Sequence, residues 1–429
     1  MDKSFTQLLK EKGIQRETVV REWRNYQEYL DFIQKRALSD QILQTALRRA
    51  SESFIRNYLE IIRRYPWIFE LAQEVKKIKD ESIEKMDELI KIACDNFREN
   101  HAECYIAKDI ADAKKIIGEI VGSGKVIVKA KSLTTEEIGI REYLEEMGND
   151  VYETDLGEFL VQVLGPKPMH FTAPALHLTR EKVAEFLEKF LNVKVNRNDI
   201  SEMVALIRKF LRQKYFKADV GISGANVVAA DPGALFILTN EGNAKLTTAV
   251  PPVHIAVVGI EKIVPTFLDA VKVTEIITKF AGYKVLSYVN IVSGPSKTGD
   301  IEKTVAYGAH GPKELHVIFL DNGRSKIAKD PVLKQALRCL KCGACHFNCP
   351  VYNIYGGFWG GDVYVGGIGL IWTYITNSEG LKKVYPQSFL CLGDKGCTEI
   401  CPMDIDVATL LREIRRRGTL KVKEELEKA

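Results

Sequence analysis

Residues 339–350 read CLKCGACHFNCP, and this stretch decides the architecture of the C-terminal part of the chain. Its spacing is C-x2-C-x2-C-x3-C-P, in which two-residue gaps let a short backbone wrap one face of an iron-sulfur cluster. In the bacterial ferredoxin pattern, the first three thiolates hold one cubane and the fourth serves another. Zinc is the competing metal, but three evenly spaced thiolates exceed the paired hooks that zinc uses. The stretch therefore predicts a cluster-binding domain.

A second cysteine motif, CLGDKGCTEICP, occupies residues 391–402. In the same register it reads C-x2-D-x2-C-x3-C-P, so Asp394 stands where the second thiolate belongs. A carboxylate is a harder and weaker iron ligand than a thiolate. Two interpretations stay open. Either Asp394 ligates the fourth iron of a [4Fe-4S] cluster, or it faces solvent and the cluster is [3Fe-4S].

The two motifs are predicted to exchange ligands in the crossed arrangement of two-cluster ferredoxins. Cluster 1, a [4Fe-4S] cluster, is assigned to Cys339, Cys342, Cys345 and Cys401. Cluster 2, a [4Fe-4S] cluster with an aspartate ligand or a [3Fe-4S] cluster, is assigned to Cys349, Cys391, Asp394 and Cys397. Interleaved ligands bring two clusters close together, which is typical of an electron-transfer wire.

The chain as a whole has a globular composition, with 46% hydrophobic and 28% charged residues among 429. A net charge of +4 is too small to indicate nucleic-acid binding. No apolar run reaches the roughly 18 residues of a membrane span, and the N-terminus lacks the apolar core of a signal peptide. We expect a cytoplasmic protein, with any membrane association supplied by partners. Cys94 and Cys104, outside the motifs, are expected to be free and buried.

Hydrophobic patterns divide the chain into three regions. Residues 1–118 are predicted to be helical, with a break at Tyr65-Pro66. Over residues 119–328 short apolar strands alternate with helices, which predicts an α/β domain with a mainly parallel sheet. One of its helices is predicted to start at Thr134 or Thr135 and to end before Gly148. Residues 329–429 lack long strands and are predicted to form an α-helical ferredoxin-type domain.

Several polar side chains follow strands of the α/β domain, where open parallel sheets bind ligands. Glu241 and His254 are the catalytic candidates, although a hydrogen-bonded core position is an alternative for His254. An anion site, for a carboxylate or a phosphate, is assigned to Lys131, Ser293, Ser296, Lys297 and Thr298. The loop 293–298 could instead be a simple turn. Such a site would accept a small carboxylate substrate.

Three carboxylates, Glu153, Asp155 and Glu158, alternate in a strand-like stretch of the same domain. Such an alternation fits a solvated face of a strand. It fits equally a pair of carboxylates that performs acid–base chemistry. The sequence leaves these two interpretations open.

Segments of the α/β domain, taken as a set, closely resemble the lactate utilization protein B family of LUD-domain iron-sulfur proteins. They include VKAKSLTTEEIGI (128–140), ETDLGEFLVQ (153–162), GISGANVVAADPGALFILTNEGN (221–243), SGPSKTGDIE (293–302) and HGPKELHVIFLDNGR (310–324). With the cysteine motifs, the resemblance runs from about residue 45 to about residue 415. Asp394 departs from it, since the family usually shows a full cysteine motif there.

The resemblance implies a glucosamine-6-phosphate-isomerase-like fold for the LUD domain. It also implies an iron-sulfur electron-transfer subunit of a complex that oxidises L-lactate to pyruvate. The partners would be a cysteine-rich redox subunit and a second LUD-type subunit. Two alternatives stay open: a complex that acts on another 2-hydroxy acid, and an acyl- or CoA-transfer enzyme with Glu241 as nucleophile.

Overall fold

Residues 103–320 contain all the strands, with helices between them, in a computed structural model that describes residues 4–14, 23, 26–165 and 167–428. The strands are β1 Glu103–Ala107, β2 Val126–Lys129, β3 Asp150–Glu153, β4 Val220–Ser223, β5 Val227–Asp231, β6 Ala234–Thr239, β7 Val253–Gly259, β8 Ile263–Thr266, β9 Tyr288–Val292, β10 Lys297–Thr298, β11 Ala306–Tyr307 and β12 Glu314–Leu320. The helices up to the main sheet's last strand are α1 Phe5–Glu11, α2 Tyr26–Ile33, α3 Gln41–Arg64, α4 Ile68–Glu84, α5 Met86–Glu99, α6 Ile110–Val121, α7 Leu133–Glu137, α8 Ile140–Glu146, α9 Leu156–Leu164, α10 Arg180–Leu191, α11 Ile200–Lys217, α12 Asn243–Ala249 and α13 Phe267–Phe280. Those that follow it are α14 Arg324–Ala328, α15 Ala344–Phe347, α16 Pro350–Tyr355, α17 Gly366–Thr376, α18 Gly380–Ser388, α19 Gly396–Glu399 and α20 Val407–Lys428.

The main sheet has six strands in the order β1-β12-β7-β4-β2-β3, and all neighbouring pairs are parallel. Its central strands are apolar runs such as HIAVVG in β7 and LHVIFL in β12, and these runs are buried. Such runs are expected when helices cover both faces of a parallel sheet. Helices α6 and α8 pack on one face, and α9, α10 and α11 pack on the other. The prediction of a mainly parallel α/β domain is confirmed.

A second sheet, in the order β8-β5-β6-β9, was not distinguished by the strand pattern. Strands β5 and β6 are antiparallel and are joined by the tight turn at Pro232 and Gly233. A turn this short can join only antiparallel neighbours, so the second sheet is mixed, because β5 also pairs in parallel with β8. Helices α4, α5 and α13 pack against this second sheet.

The structure corrects the N-terminal prediction near its end. Helices α3 and α4 are separated at Tyr65, as predicted. Residues 103–107, predicted to be helical, form β1 and pair with β12 at the edge of the main sheet. Cys94 and Cys104 are buried but are joined in a disulfide, not free as expected. The chain turns directly from α5 into β1, which brings the Cα atoms of the two cysteines to 5.3 Å.

The helix predicted over residues 134–148 is two helices, α7 and α8. Ser132, not Thr134 or Thr135, caps α7, because its hydroxyl accepts the N–H of Thr135. Gly139 lies between the helices at φ +58°, a conformation in which it ends one helix and starts the next. The corrected start places Ser132 directly at the end of β2.

The C-terminal region is helical, as predicted, and it packs closely on the rest of the protein. Arg324, at the start of α14, is fully buried between Glu137 of α7 and Glu261. Tyr364 of the C-terminal region donates its hydroxyl to the same Glu137 carboxylate at 2.5 Å. A buried ionic network therefore joins the α/β and C-terminal domains. In the described part of the chain, no helix is both long and apolar enough to cross a membrane.

Candidate metal centres and an adjoining cavity

We call Cys339, Cys342, Cys345 and Cys401 the first cysteine site; these four side chains line one pocket together with Cys397. Gly343, at φ +83°, reverses the backbone after Cys342 and begins α15. A Cβ atom at this position would lie 2.5 Å from the His170 ring, so the close approach requires glycine. The Ala344 amide donates a hydrogen bond to the Cys342 sulfur. Hydrogen bonds of this kind set the potential of a bound iron-sulfur cluster.

The second site consists of Cys349, Cys391, Asp394 and Cys397, which line another pocket. Cys349 directly precedes α16, and the first amides of this helix donate to its sulfur. Cys391 follows α18, and Cys397 lies in α19. The connecting residues 392–395 are exposed, with 72% of Leu392 accessible to solvent. The second site therefore opens to the surface on the Asp394 side.

The cysteine side chains fit an iron-sulfur cluster better than a zinc ion. Burial and the neighbouring Cys339 sulfur raise the pKa of the Cys401 thiol to about 12, and a bound metal would supply the positive charge that stabilises its thiolate. In the part of the chain that the structure describes, no three His, Cys, Asp or Glu side chains converge as ligands of one ion. The first motif supplies three thiolates spaced by two residues, which suits a cubane that offers a separate iron to each thiolate, whereas zinc uses paired hooks.

The two cysteine pockets share a wall. Cys345 and Cys397 line both pockets, and so do the apolar side chains of Ile368 and Val407. The two pockets are therefore immediate neighbours inside one helical domain. Two clusters held in these pockets would be separated by side chains that line both pockets.

A cavity of about 250 Å³ lies at the carboxyl ends of β2 and β4, and it is called the lysine cavity here after Lys131, Lys262 and Lys341, which line it. Glu241 stands at its open mouth, where the carboxylate accepts the N–H of Leu156 at 3.1 Å. Phe171 and Leu340 line both this cavity and the first cysteine pocket. The lysine cavity therefore abuts the first cysteine site.

The charges in this cavity are unevenly compensated. Partial burial and the charge of Asp155 raise the pKa of Glu241 to about 7. The Lys131 ammonium is buried without a hydrogen-bond acceptor, and the Glu158 carboxylate lies 3.9 Å from it. Buried ammonium groups usually have acceptors. The cavity thus presents a buried ammonium group, ion-paired with Glu158 at 3.9 Å but without a hydrogen-bond acceptor, beside a weakly acidic carboxyl group.

Only two of the predicted ligand-site residues of the α/β domain meet in this cavity, namely Lys131 and Glu241. His254 is fully buried in β7, and its Nε2 atom lies 2.8 Å from the Ser223 hydroxyl. Burial lowers the pKa of His254 to about 3, so it is neutral. Ser293 donates to the Gly233 carbonyl at 2.5 Å. None of the described residues Ser293, Ser296, Lys297 and Thr298 lines the lysine cavity.

Both domains of the chain match known families. Residues 90–320 match the LUD domain, and residues 335–405 match the 4Fe-4S dicluster domain. Lactate utilization protein B 1 of Bacillus mycoides (strain KBAB4) is 35% identical over 387 residues, which cover 89% of this chain and 78% of that protein. The chain belongs to the lactate utilization protein B family.

The chain is also similar to a second curated protein and to one solved structure. Lactate utilization protein B of Anoxybacillus flavithermus (strain DSM 21510 / WK1) is 35% identical over 362 residues, 82% of this chain and 74% of that protein. A DUF162 family protein from Deinococcus radiodurans, solved by crystallography, is 15% identical; it covers 55% of this chain and 98% of its own, with a TM-score of 0.31. The match to the 4Fe-4S dicluster domain at residues 335–405 supports iron-sulfur clusters in this chain.

A feature that sequence reasoning missed in this family member is an acidic cavity of about 480 Å³ between the α/β and C-terminal domains. Glu153 ends β3, whereas Glu158 lies in α9, so the two do not share a strand face. Both are buried, which excludes the solvated face. Burial is the main cause that raises the pKa of Glu153 to about 8 and that of Glu158 to about 7. Lys129 pairs with Glu153 at 2.9 Å across neighbouring strands, a contact that local patterns do not reveal.

Proposed function

We propose that the chain is the iron-sulfur electron-transfer subunit of a complex that oxidises L-lactate to pyruvate. The observation that carries this proposal is the shared wall of the two cysteine pockets, because electrons pass efficiently only between neighbouring groups. The relatives named lactate utilization protein B support the choice of lactate. Iron-sulfur clusters held in these pockets would supply one-electron transfer.

The proposed ligands follow the crossed pattern of the two motifs. Cluster 1, a [4Fe-4S] cluster, is held by Cys339, Cys342, Cys345 and Cys401. Cluster 2 is held by Cys349, Cys391 and Cys397, with Asp394 either ligating a fourth iron or leaving a [3Fe-4S] cluster. Amide hydrogen bonds to Cys342 and Cys349 support this assignment, since such bonds stabilise the charge of a cluster.

The surroundings of the two cysteine sites support a direction of electron transfer between them. The first site abuts the lysine cavity through Phe171 and Leu340, which are apolar and exclude water. The second site reaches the surface at Leu392 and Asp394. We propose that the exposed side faces a redox partner of the complex, which would include a cysteine-rich subunit and a second LUD-type subunit in the cytoplasm.

Metal analysis with two single-ligand variants tests the cofactor proposal. Anaerobically purified protein should contain about seven or eight irons with matching acid-labile sulfide. Cys342→Ser should remove the iron of the first site alone, and Cys391→Ser should remove that of the second, because each cysteine serves one cluster. Stoichiometric zinc without sulfide would contradict the proposal.

The lactate assignment is tested in the complex assembled with its co-purifying partners. L-lactate should reduce the clusters, as followed by electron paramagnetic resonance, and glycolate should reduce them poorly. Reduction by glycolate but not by L-lactate would favour a complex for another 2-hydroxy acid. CoA-transfer activity of the chain alone, lost in Glu241→Gln, would instead favour an acyl-transfer enzyme.

A further inference from the structure

The lysine cavity lies at the topological switch point of the main sheet. In the strand order, β2 has β3 on one side and β4 on the other. The chain continues from β2 outward to β3, but from β4 it continues toward β7 in the opposite direction. Ligands of open α/β sheets bind at the carboxyl end of such a point. Lys131 follows β2, Gly224 follows β4, and both line the cavity.

Lys131 and Lys341 are the lysines of this cavity whose ammonium groups have no hydrogen-bond acceptor. Lys262 donates to the carbonyl oxygen of Ala225 at 2.9 Å, and the Lys341 ammonium lies over the face of the Trp372 ring. The Lys131 ammonium has three donors and no acceptor, although it is buried. An anion that enters the cavity would satisfy these donors.

The acidic groups around Lys131 limit the charge of this anion. Asp155 and Glu241 line the same cavity, and Glu158 lies 3.9 Å from the Lys131 ammonium. A dianion such as phosphate would be repelled by these carboxyl groups, whereas a single carboxylate would pair with Lys131 alone. The cavity volume of about 250 Å³ favours a small molecule. The Glu241 carboxyl group lines the same cavity and is available to a hydroxyl or keto oxygen of the bound molecule.

We propose that the lysine cavity binds a small 2-hydroxy- or 2-oxo-monocarboxylate, with its carboxylate on Lys131. The site depends on the proposed function only for the choice of this acid over other monocarboxylates. Because Phe171 and Leu340 separate the cavity from the first cysteine site, the bound negative charge lies beside that site. Reduction adds negative charge there, so binding and reduction oppose each other.

Titration calorimetry on the full anaerobic protein tests this proposal with pyruvate, L-lactate and inorganic phosphate. Pyruvate or L-lactate should bind the oxidised protein, and phosphate should bind at least about tenfold more weakly. Lys131→Met should weaken carboxylate binding about 10- to 100-fold, since a hydrogen bond to a charged group is lost. Lys125→Met is the matched control, because Lys125 is exposed before the opposite end of the same strand. Lys131→Arg should retain part of the binding.

The outcomes separate the cavity from the proposed function. Absence of carboxylate binding to the wild type, equal binding by Lys131→Met, or phosphate binding as tight as pyruvate binding would each overturn the cavity proposal. If Lys131→Met does not fold, Lys131→Arg decides, and binding unchanged in affinity and in its preference over phosphate would count against the site. Dithionite-reduced wild type should bind pyruvate more weakly than the oxidised protein. Binding by a protein that contains zinc and no sulfide would overturn the electron-transfer role but keep the cavity.

Discussion

The two cysteine sites have similar motifs but different surroundings. The first site is enclosed, since residues 340–345 are half-buried or buried and the lysine cavity adjoins it. The second site contains a carboxylate, and its connecting residues 392–395 are exposed. A repeated motif therefore does not imply equivalent sites. The enclosed site is suited to contact a small molecule within the chain, and the exposed site is suited to contact another protein.

The largest expected difference between the two sites is the loss of stability when an ion pair beside each site is broken. Arg324 is buried between Glu137 and Glu261, near the first site. Lys395 and Asp406 form a partly exposed pair at 3.1 Å beside the second site. Arg324→Met should lower the free energy of unfolding by about 3–5 kcal/mol, because it leaves buried carboxylates unpaired. Lys395→Met should cost at most about 1 kcal/mol.

Thermal unfolding of the anaerobic proteins measures this difference. If the two variants lose the same stability, the buried network does not join the two domains as described. Iron content is the control, because loss of a cluster would itself lower stability.

One glycine in each cysteine motif allows a further comparison of the enclosed and the exposed site. Gly343 of the first motif and Gly393 of the second have positive φ angles of +83° and +75°. Gly393→Ala should cost about 1–2 kcal/mol, from the left-handed backbone alone, since its Cβ would meet open space. Gly343→Ala should cost more and should lower the iron content, because its Cβ would collide with the His170 ring. Iron analysis and melting temperature check both variants, and equal losses would contradict an enclosed first site.

The smallest expected effect is a pH dependence confined to the cavity beside the first site. The pKa of Glu241 is about 7, so its carboxyl group is mostly neutral at pH 6 and mostly ionised at pH 8. It faces Asp155, Lys131 and the Leu156 amide. Pyruvate affinity should therefore fall about fivefold from pH 6 to pH 8, as expected for a partly exposed charge. Calorimetry on Glu241→Gln should show a shallower fall, with the remainder due to Glu158, whose pKa is also about 7 and whose carboxylate lies 3.9 Å from the Lys131 ammonium. A fall as steep as in the wild type would exclude Glu241 as a cause.

The features that the sequence predicts correctly are those that depend only on residues close together in the sequence. The cysteine spacing needs only twelve residues, and apolar runs such as HIAVVG predict buried strands directly. Contacts between distant residues were not predictable in this way. Lys131 and Glu241 follow strands of different sheets, and both line the lysine cavity. Ser293, assigned to the same anion site, instead ties β9 to the turn at Gly233.

Two errors have the same physical origin. The spacing of Glu153 and Glu158 fits a strand, but Asp155 caps helix α9, which begins at the next residue. The local pattern gives no sign of the disulfide between Cys94 and Cys104, because Cys94 lies in the helix that precedes the strand of Cys104. In both cases a chain reversal that local periodicity cannot reveal decides which side chains meet.

Electron paramagnetic resonance after limited ferricyanide treatment tests most directly whether the two sites are unequal. Oxygen ligation is weaker than thiolate ligation, so the corner at Asp394 should be the labile one. The wild type should give a three-iron signal from one cluster while the all-cysteine cluster survives. Asp394→Cys should close that corner and abolish the signal. Identical three-iron signals from the wild type and Asp394→Cys would contradict the account, because Asp394 would then not belong to the second site.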